Sequence, residues 1–200
     1  MSLLDRLHGR QVHARRVRAL RRAISRLLPE RGLVADVGCG DGLLTGLLAK
    51  TCPNLTFVGL DVLMRSGSGL AACRFDGERL PLADASVDAV LFVDVLHHAA
   101  DAPALLAEAR RVSRGVVVVK DHLLDPWLAG PRLRFMDYVG NARHGVALPY
   151  HYLRRREWEA LYAATGLRLE LLTSDFDLYP WPASCLFGGG LHFLARLETR

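Results

Sequence analysis

The sequence predicts an α/β fold: a doubly wound, mostly parallel sheet with helices on both faces. Two observations predict it. Largely apolar, β-branched runs alternate with helical patterns between Leu33 and Asp121, as expected of strands covered on both sides. The first of these runs ends in a glycine-rich turn, at the edge where open parallel sheets bind ligands. In order, "LVADV" (33–37) is a strand, "GLLTGLLAK" (42–50) a helix and "LTFVGLD" (55–61) a strand. "VDAVLFVDVL" (87–96) is the next strand, "APALLAEARRV" (102–112) a helix and "GVVVVKD" (115–121) a strand.

Before the first strand the chain is basic. The formal charge is +5, yet residues 1–31 hold nine arginines and two acids. Val17, Leu20, Ile24, Leu27 and Leu28 recur there at helical spacing, so Arg15, Arg16, Arg18, Arg21, Arg22 and Arg26 mostly line the other faces of an amphipathic helix. A solvated face is the first reading. Contact with RNA or an anionic membrane is the second, weakened because no aromatic residue interleaves with these arginines.

At 200 residues the chain suits one domain. Cys39, Cys52, Cys73 and Cys185 show no paired spacing, so reduced thiols and a cytoplasmic setting are expected. Residues 1–31 contain no apolar signal core. The longest uncharged stretch, Leu178 to Ala195, contains two prolines and a triple glycine, unsuited to a membrane-spanning helix.

The turn "ADVGCGDG" (35–42) carries most of the chemical information. Gly38, Gly40 and Gly42 let the backbone approach a ligand, and the helix start that follows favours a carboxylate or phosphate. A dinucleotide fingerprint would read GxGxxG; here the spacing is GxGxG, with Leu43 where the third glycine should stand. A structural turn without a ligand rarely needs three glycines.

"VADVGCGDG" resembles the first motif of the class I S-adenosylmethionine-dependent methyltransferases, of the type 11-like group. Further matches follow in the order of that family: "VGLD" ending in Asp61, "FDGERLPLADASVDAVLFVDVLHHAAD", then "EARRVSRGVVVVKDH". The resemblance covers residues 30–122 well. It implies a Rossmann-like sheet with an antiparallel last strand, "LHFLARL", and S-adenosyl-L-methionine as cofactor. The layout expected is one methyltransferase domain over 1–200: a basic helical segment (1–31), a cofactor-binding core (32–122), a lid-like insertion (123–154) and a C-terminal helix with strands (155–200).

The resemblance also implies residue roles. Backbone amides of Gly38, Cys39 and Gly40 meet the methionine carboxylate, and Asp36 favours its ammonium. Asp61 accepts from the ribose hydroxyls, and Asp76 from the adenine amino group with Gly77 beside the ring. Val62 and Asp94 complete the cofactor-binding set. Leu80 and Leu82 serve the ring or the core equally well. One departure is "VLMRSGSGLAACR" (62–74), shorter than the family's helix and loop, so the second crossover is expected to be abbreviated.

Methyl transfer is an in-line displacement that works largely through proximity and alignment. A general base is needed only for a protonated acceptor. His97, His98, His122, His144 and His151 are candidates, with His98 and His144 preferred as catalytic. Asp94, Asp121 and His122 fall where catechol-type relatives hold magnesium, but "VDVLHHAAD" matches the metal-free type, so no metal is expected. The fourth strand lacks the Asn/Asp-Pro-Pro-aromatic tetrad that grips a flipped base, which argues against base methylation.

The insertion supplies substrate-side candidates: Asp137, Tyr138, Asn141, Arg143 and Tyr150, beside His144. "FDLYPWPASCLFGGG" (176–190) is expected to form an apolar lip, and such walls suit a small organic acceptor. The expected activity is therefore methyl transfer to a small molecule. An RNA methyltransferase guided by residues 1–31 and a cofactor-binding protein without turnover are the alternatives.

Overall fold

The apolar runs become the centre of a twisted sheet. The computed structural model describes residues 3–63, 71–141, 151–174 and 176–199, with side chains described for 14–63, 71–138, 151–174 and 176–199. In chain order the elements are α1 (Leu3–Ile24), β1 (Gly32–Val37), α2 (Leu43–Thr51), β2 (Leu55–Asp61), β3 (Ala72–Arg74) and β4 (Val87–Val93). After a short 3-10 turn (Leu96–His98) come α3 (Ala102–Val112), β5 (Ser113–His122), α4 (Ala129–Asn141), α5 (Arg155–Ala164), β6 (Arg168–Thr173), α6 (Ala183–Phe187) and β7 (His192–Glu198).

Among the described residues the strands form one sheet in the order β3-β2-β1-β4-β5-β7-β6. β1 to β5 run parallel, and β7 pairs antiparallel with both β5 and β6. The chain reverses direction across the sheet between β1 and β4, which opens a crevice beyond their carboxyl ends. The expected antiparallel last strand is β7. It lies inside the sheet, between β5 and β6, and leaves β6 at the edge. Its start is level with the end of β5, where His122 pairs with His192.

Alternation along the strands splits the core into two layers. Ala35, Val37, Val90, Phe92, Val117 and Val119 face α3 and α5, where Trp158 and Tyr162 are almost wholly buried. Val34, Ala89, Leu91, Val116 and Val118 face the other way, onto Leu20 and Ile24 of α1 and Leu48 of α2. Both faces are thus covered, as the continuous apolar runs require.

The stripe expected on α1 is buried: Val17, Leu20 and Ile24 on the helix, then Leu27 and Leu28 in the turn that follows. Arg15, Arg18, Arg22 and Arg26 are exposed, whereas Arg16 and Arg21 are half-buried. The insertion opens with α4, a helix the sequence analysis did not anticipate because Gly130 and Pro131 stand at its start. Proline is tolerated in a first helical turn, where its missing N–H has no intrahelical partner to lose. Residues 64–70, where the abbreviated crossover is expected, lie outside the described residues. No helix among the described residues is long and apolar enough to cross a membrane.

If α1 is part of this core, Leu20→Ala should lower unfolding free energy by about 2 to 5 kcal/mol, the range for a buried leucine. Urea denaturation would show it, and a loss under about 0.5 kcal/mol would mean that α1 packs elsewhere.

Candidate functional site

The carboxyl edge of the sheet gathers the polar residues. β1 ends at Val37, and Gly38 turns with φ +77°. A Cβ on Gly38 would lie 2.3 Å from Val95 Cγ2, so only glycine fits there. Gly38 and Cys39 donate their N–H groups to the Leu60 carbonyl, at 2.7 and 3.3 Å. Gly40 (φ +59°) differs: a Cβ there would meet nothing within 4 Å. Its backbone borders open space. Gly42 (φ +69°) starts α2 without a side-chain cap.

Two buried carboxylates support this turn. Asp36 accepts a hydrogen bond from the Thr45 hydroxyl. Burial pushes its carboxyl up to about 6; the Thr45 bond opposes that shift and the Asp61 charge adds to it. Asp61 accepts from the N–H of Gly40 and of Leu63, at 2.7 and 2.8 Å. It thereby ties the end of β2 to the glycine turn. Burial, with the charges of Asp36 and Asp61, pushes the Cys39 thiol up to about 12, so it is no nucleophile at neutral pH.

Across the crevice, β4 is followed directly by Asp94, which takes the left-handed backbone (φ +57°). Its carboxylate pairs with Lys120 of β5 and with Arg16 of α1. Burial alone would raise the Asp94 carboxyl, but the two cations hold it well below the usual range. Lys120 is fully buried, and its ammonium lies 3.0 Å from His192 Nδ1. His192 Nε2 donates to the Phe187 carbonyl at 2.8 Å, which leaves Nδ1 to accept from Lys120. Burial, then the Lys120 charge, drives the His192 pKa well below its ordinary value.

A second polar group lies next to it. His97 Nδ1 is 2.6 Å from Asp121 Oδ1, and both side chains are buried. Burial would favour neutral His97, but Asp121 outweighs it and raises its pKa to about 10. Asp137 of α4 accepts from the Tyr152 hydroxyl and lies 3.6 Å from His97 Nε2. His98 lies against His97 with ring centroids 3.9 Å apart and planes tilted by 45°. Burial and then the His97 charge lower its pKa. Burial and the Lys120 charge pull His122 down to about 4.

Beside His192 a cavity of about 230 Å³ is lined by Phe176, Asp177, Ser184 and Gly188 to Gly190. The stretch expected to form an apolar lip supplies most of its wall, but with Asp177, Ser184 and three glycines beside Phe176 and Leu178 that wall is as polar as it is apolar.

Residues 35–119 match the family model described as "Methyltransferase domain". Over those residues, a little under half of the chain, the sequence has the pattern of a methyltransferase domain. Solved structures share its fold. The S-adenosylmethionine-dependent methyltransferase of Thermotoga maritima superposes with a TM-score of 0.66 at 19% identity, covering 99% of this chain and 96% of that one. A chain of the Haloferax volcanii complex that contains the Trm112 methyltransferase activator gives 0.68 at 18%, covering 94% and 93%. The S-adenosylmethionine-dependent methyltransferase of Mesorhizobium loti gives 0.66 at 16%, covering 90% and 97%. At these identities the likeness is one of fold. No curated protein sequence matches the chain.

Asp36, Gly38, Cys39, Gly40, Asp61, Val62, Asp76 and Gly77, all inside the matched segment, fall at the carboxyl edge of β1, β2 and β3. A Cβ on Gly77 would lie 3.2 Å from Val62 Cγ1, so those two positions adjoin. Asp76 is exposed and caps its own turn, accepting from the N–H groups of Glu78 and Arg79, each at 2.8 Å. Asp94 stands apart from the glycine turn's hydrogen bonds, held between two cations. Of the substrate-side residues, Asp137 is buried against Tyr152 and His97, whereas Tyr138 is 64% exposed. The side chain of Asn141 is not among those described, and Arg143, His144 and Tyr150 lie outside the described residues.

Sequence reasoning missed Lys120 and treated Arg16 as part of a solvated face. A signal existed for the lysine: a charge that ends the run "GVVVVKD" inside a doubly covered strand must find a partner. No comparable pattern marked Arg16, because only the packing of α1 brings it to Asp94.

The raised Asp36 pKa has a pH consequence. Between about 4 and 6 the folded chain holds a proton there that the unfolded chain has lost, so stability falls as pH rises through that window. Asp36→Asn should therefore be more stable than the parent at pH 8, by roughly 1 to 3 kcal/mol, and equal to it near pH 4. Denaturant unfolding at both pH values checks this; parallel pH profiles for the two proteins would refute it.

Proposed function

We propose that the protein, acting as one domain over residues 1–200, transfers a methyl group from S-adenosyl-L-methionine to a small organic acceptor. The observation that carries the reading is the glycine turn: Gly40, left-handed and bordering open space, lies hydrogen-bonded to buried Asp61 with Asp36 beneath. These residues fit the cofactor. Gly38, Cys39 and Gly40 would border its amino-acid end. The expected amide contact with its carboxylate would require Gly40 to exchange its bond to Asp61, since the Gly38 and Cys39 N–H groups are held by the Leu60 carbonyl, and Asp36 would favour the ammonium. Asp61 still has acceptor lone pairs for the ribose hydroxyls, while Val62, Asp76 and Gly77 would border the adenine. Asp94 would serve indirectly, by holding buried Lys120 and half-buried Arg16 at the end of β4.

The cofactor supplies a methyl group already activated by its sulfonium charge. The chain's own task is then to bind, to orient and to exclude water. The cavity beside His192 has the volume for a small acceptor, and its walls mix Phe176 and Leu178 with Ser174, Asp177, Ser184 and His192. Asp137, Tyr138, Asn141, Arg143 and Tyr150 are the proposed substrate-side residues. His98 and His144 are proposed to take a proton where the acceptor brings one. Arg15 pairs with Asp177, Arg16 with Asp94, and Arg21 with Thr51. These internal partners favour packing over RNA contact for part of the basic helix. The four cysteines are free thiols, which supports a reducing, cytoplasmic setting.

Calorimetric titration with S-adenosylhomocysteine, with NAD in parallel, tests the reading. Binding of the homocysteine compound alone is expected. Asp61→Ala should weaken it by roughly 1.5 to 3 kcal/mol, the worth of a charge-assisted hydrogen bond. Undiminished affinity in a folded variant, or binding of NAD alone, would refute the assignment.

A further inference from the structure

His97 raises a question that the cofactor edge does not answer. Its side chain is 1% exposed, and its Nδ1 is engaged by Asp121. Its Nε2 is buried with no hydrogen-bond partner. Asp137 Oδ2, at 3.6 Å, is beyond hydrogen-bond range and makes only a long ion pair with the protonated ring. A buried ring nitrogen without a hydrogen bond, with a carboxylate 3.6 Å away, leaves room for a cation to replace its proton.

The surroundings say which kind. One ligand atom each from His97, His98 and Asp137 lies within 4.8 Å of the others. Zinc bonds to nitrogen and oxygen are about 2.0 to 2.2 Å long, so two donors on one ion stand roughly 3.3 to 3.6 Å apart. The spacing between His97 Nε2 and Asp137 matches that. Asp121 on Nδ1 supplies the carboxylate that typically orients a ligating imidazole and leaves the other nitrogen to the metal. The Tyr152 hydroxyl steadies Asp137 in the same way.

We propose that His97, His98 and Asp137 form a binding site for a divalent cation of the zinc class, oriented by Asp121 and Tyr152. Two imidazoles and one carboxylate suit zinc, cobalt, nickel or ferrous iron rather than magnesium or calcium, and they leave a coordination position open. The cation takes the place of a proton on His97 Nε2, and the charges of Asp121 and Asp137 balance it. This replaces the metal-free expectation drawn from "VDVLHHAAD", and it uses different residues from the catechol-type set. Binding itself is independent of the proposed methyl transfer. Only its use rests on that reading: an acceptor hydroxyl at the open position would lose its proton more readily, a task otherwise left to His98.

The test is titration of the chelator-treated full chain with cobalt(II), followed by visible absorption, for the parent, His98→Ala and Asp137→Asn. His98 is only half-buried, so its variant is expected to fold, which circular dichroism would verify. One equivalent of cobalt with no thiolate charge-transfer band, and at least a tenfold weaker affinity in both variants, is the expected result. No saturable binding, a thiolate-type spectrum, or equal binding in folded His98→Ala overturns the proposal. Titration with S-adenosylhomocysteine on the same samples separates the two readings. Cofactor binding without cobalt overturns the metal site alone, and cobalt binding without the cofactor product supports the metal site while refuting methyl transfer.

Discussion

Lys120 must be paired, and much of the carboxyl edge is arranged around that requirement. A fully buried ammonium at the end of β5 is costly without an opposite charge. Asp94, at the end of β4, supplies it. To do so the chain accepts a left-handed backbone at Asp94, which ends β4 and sends the next residues into the 3-10 turn. Arg16 reaches the same carboxylate from α1, and His192 reaches Lys120 from β7. One ionic group therefore joins four elements distant in sequence. Removing one partner from such a set typically costs about 3 to 5 kcal/mol, because the remaining charge stays buried.

This arrangement separates two regions with different chemistry. On the β1–β2 side, carboxylates face backbone amides: Asp61 holds Gly40 and Leu63, while Asp36 lies beneath on Thr45. That side is built to receive amine, carboxylate and hydroxyl groups at fixed positions. On the β4–β5 side, His97 is the centre of a group formed with Asp121, Asp137 and His98. Its buried groups hold a proton or a cation. The two regions meet where Val95 packs over Gly38, so a change in the turn after β4 is felt directly by the glycine turn.

The position of β7 explains the second region. By inserting between β5 and β6 it covers the far side of β5 and brings His192 level with His122. The segment before it, 176–190, then has to fold back over the sheet edge, which shapes the cavity beside His192. A strand added at the outer edge instead would leave Lys120 without that neighbour.

By itself the sequence determined the local order of the structure. Apolar runs from Leu33 to Asp121 specified the parallel strands, since only side chains apolar on both faces suit a strand covered twice. The GxGxG turn specified the ligand-facing loop, because three left-handed positions tolerate few other residues. The α1 stripe was legible through its 3.6-residue period. Tertiary structure alone decided which charges meet. Asp94 with Lys120 and Arg16, and Asp137 with His97, are pairings across 26, 78 and 40 residues of chain. Such contacts depend on how helices pack over the sheet, and no local periodicity encodes them. Helix α4 was equally hidden, because its Gly-Pro start signals a turn unless the residues that follow find a surface to bury against.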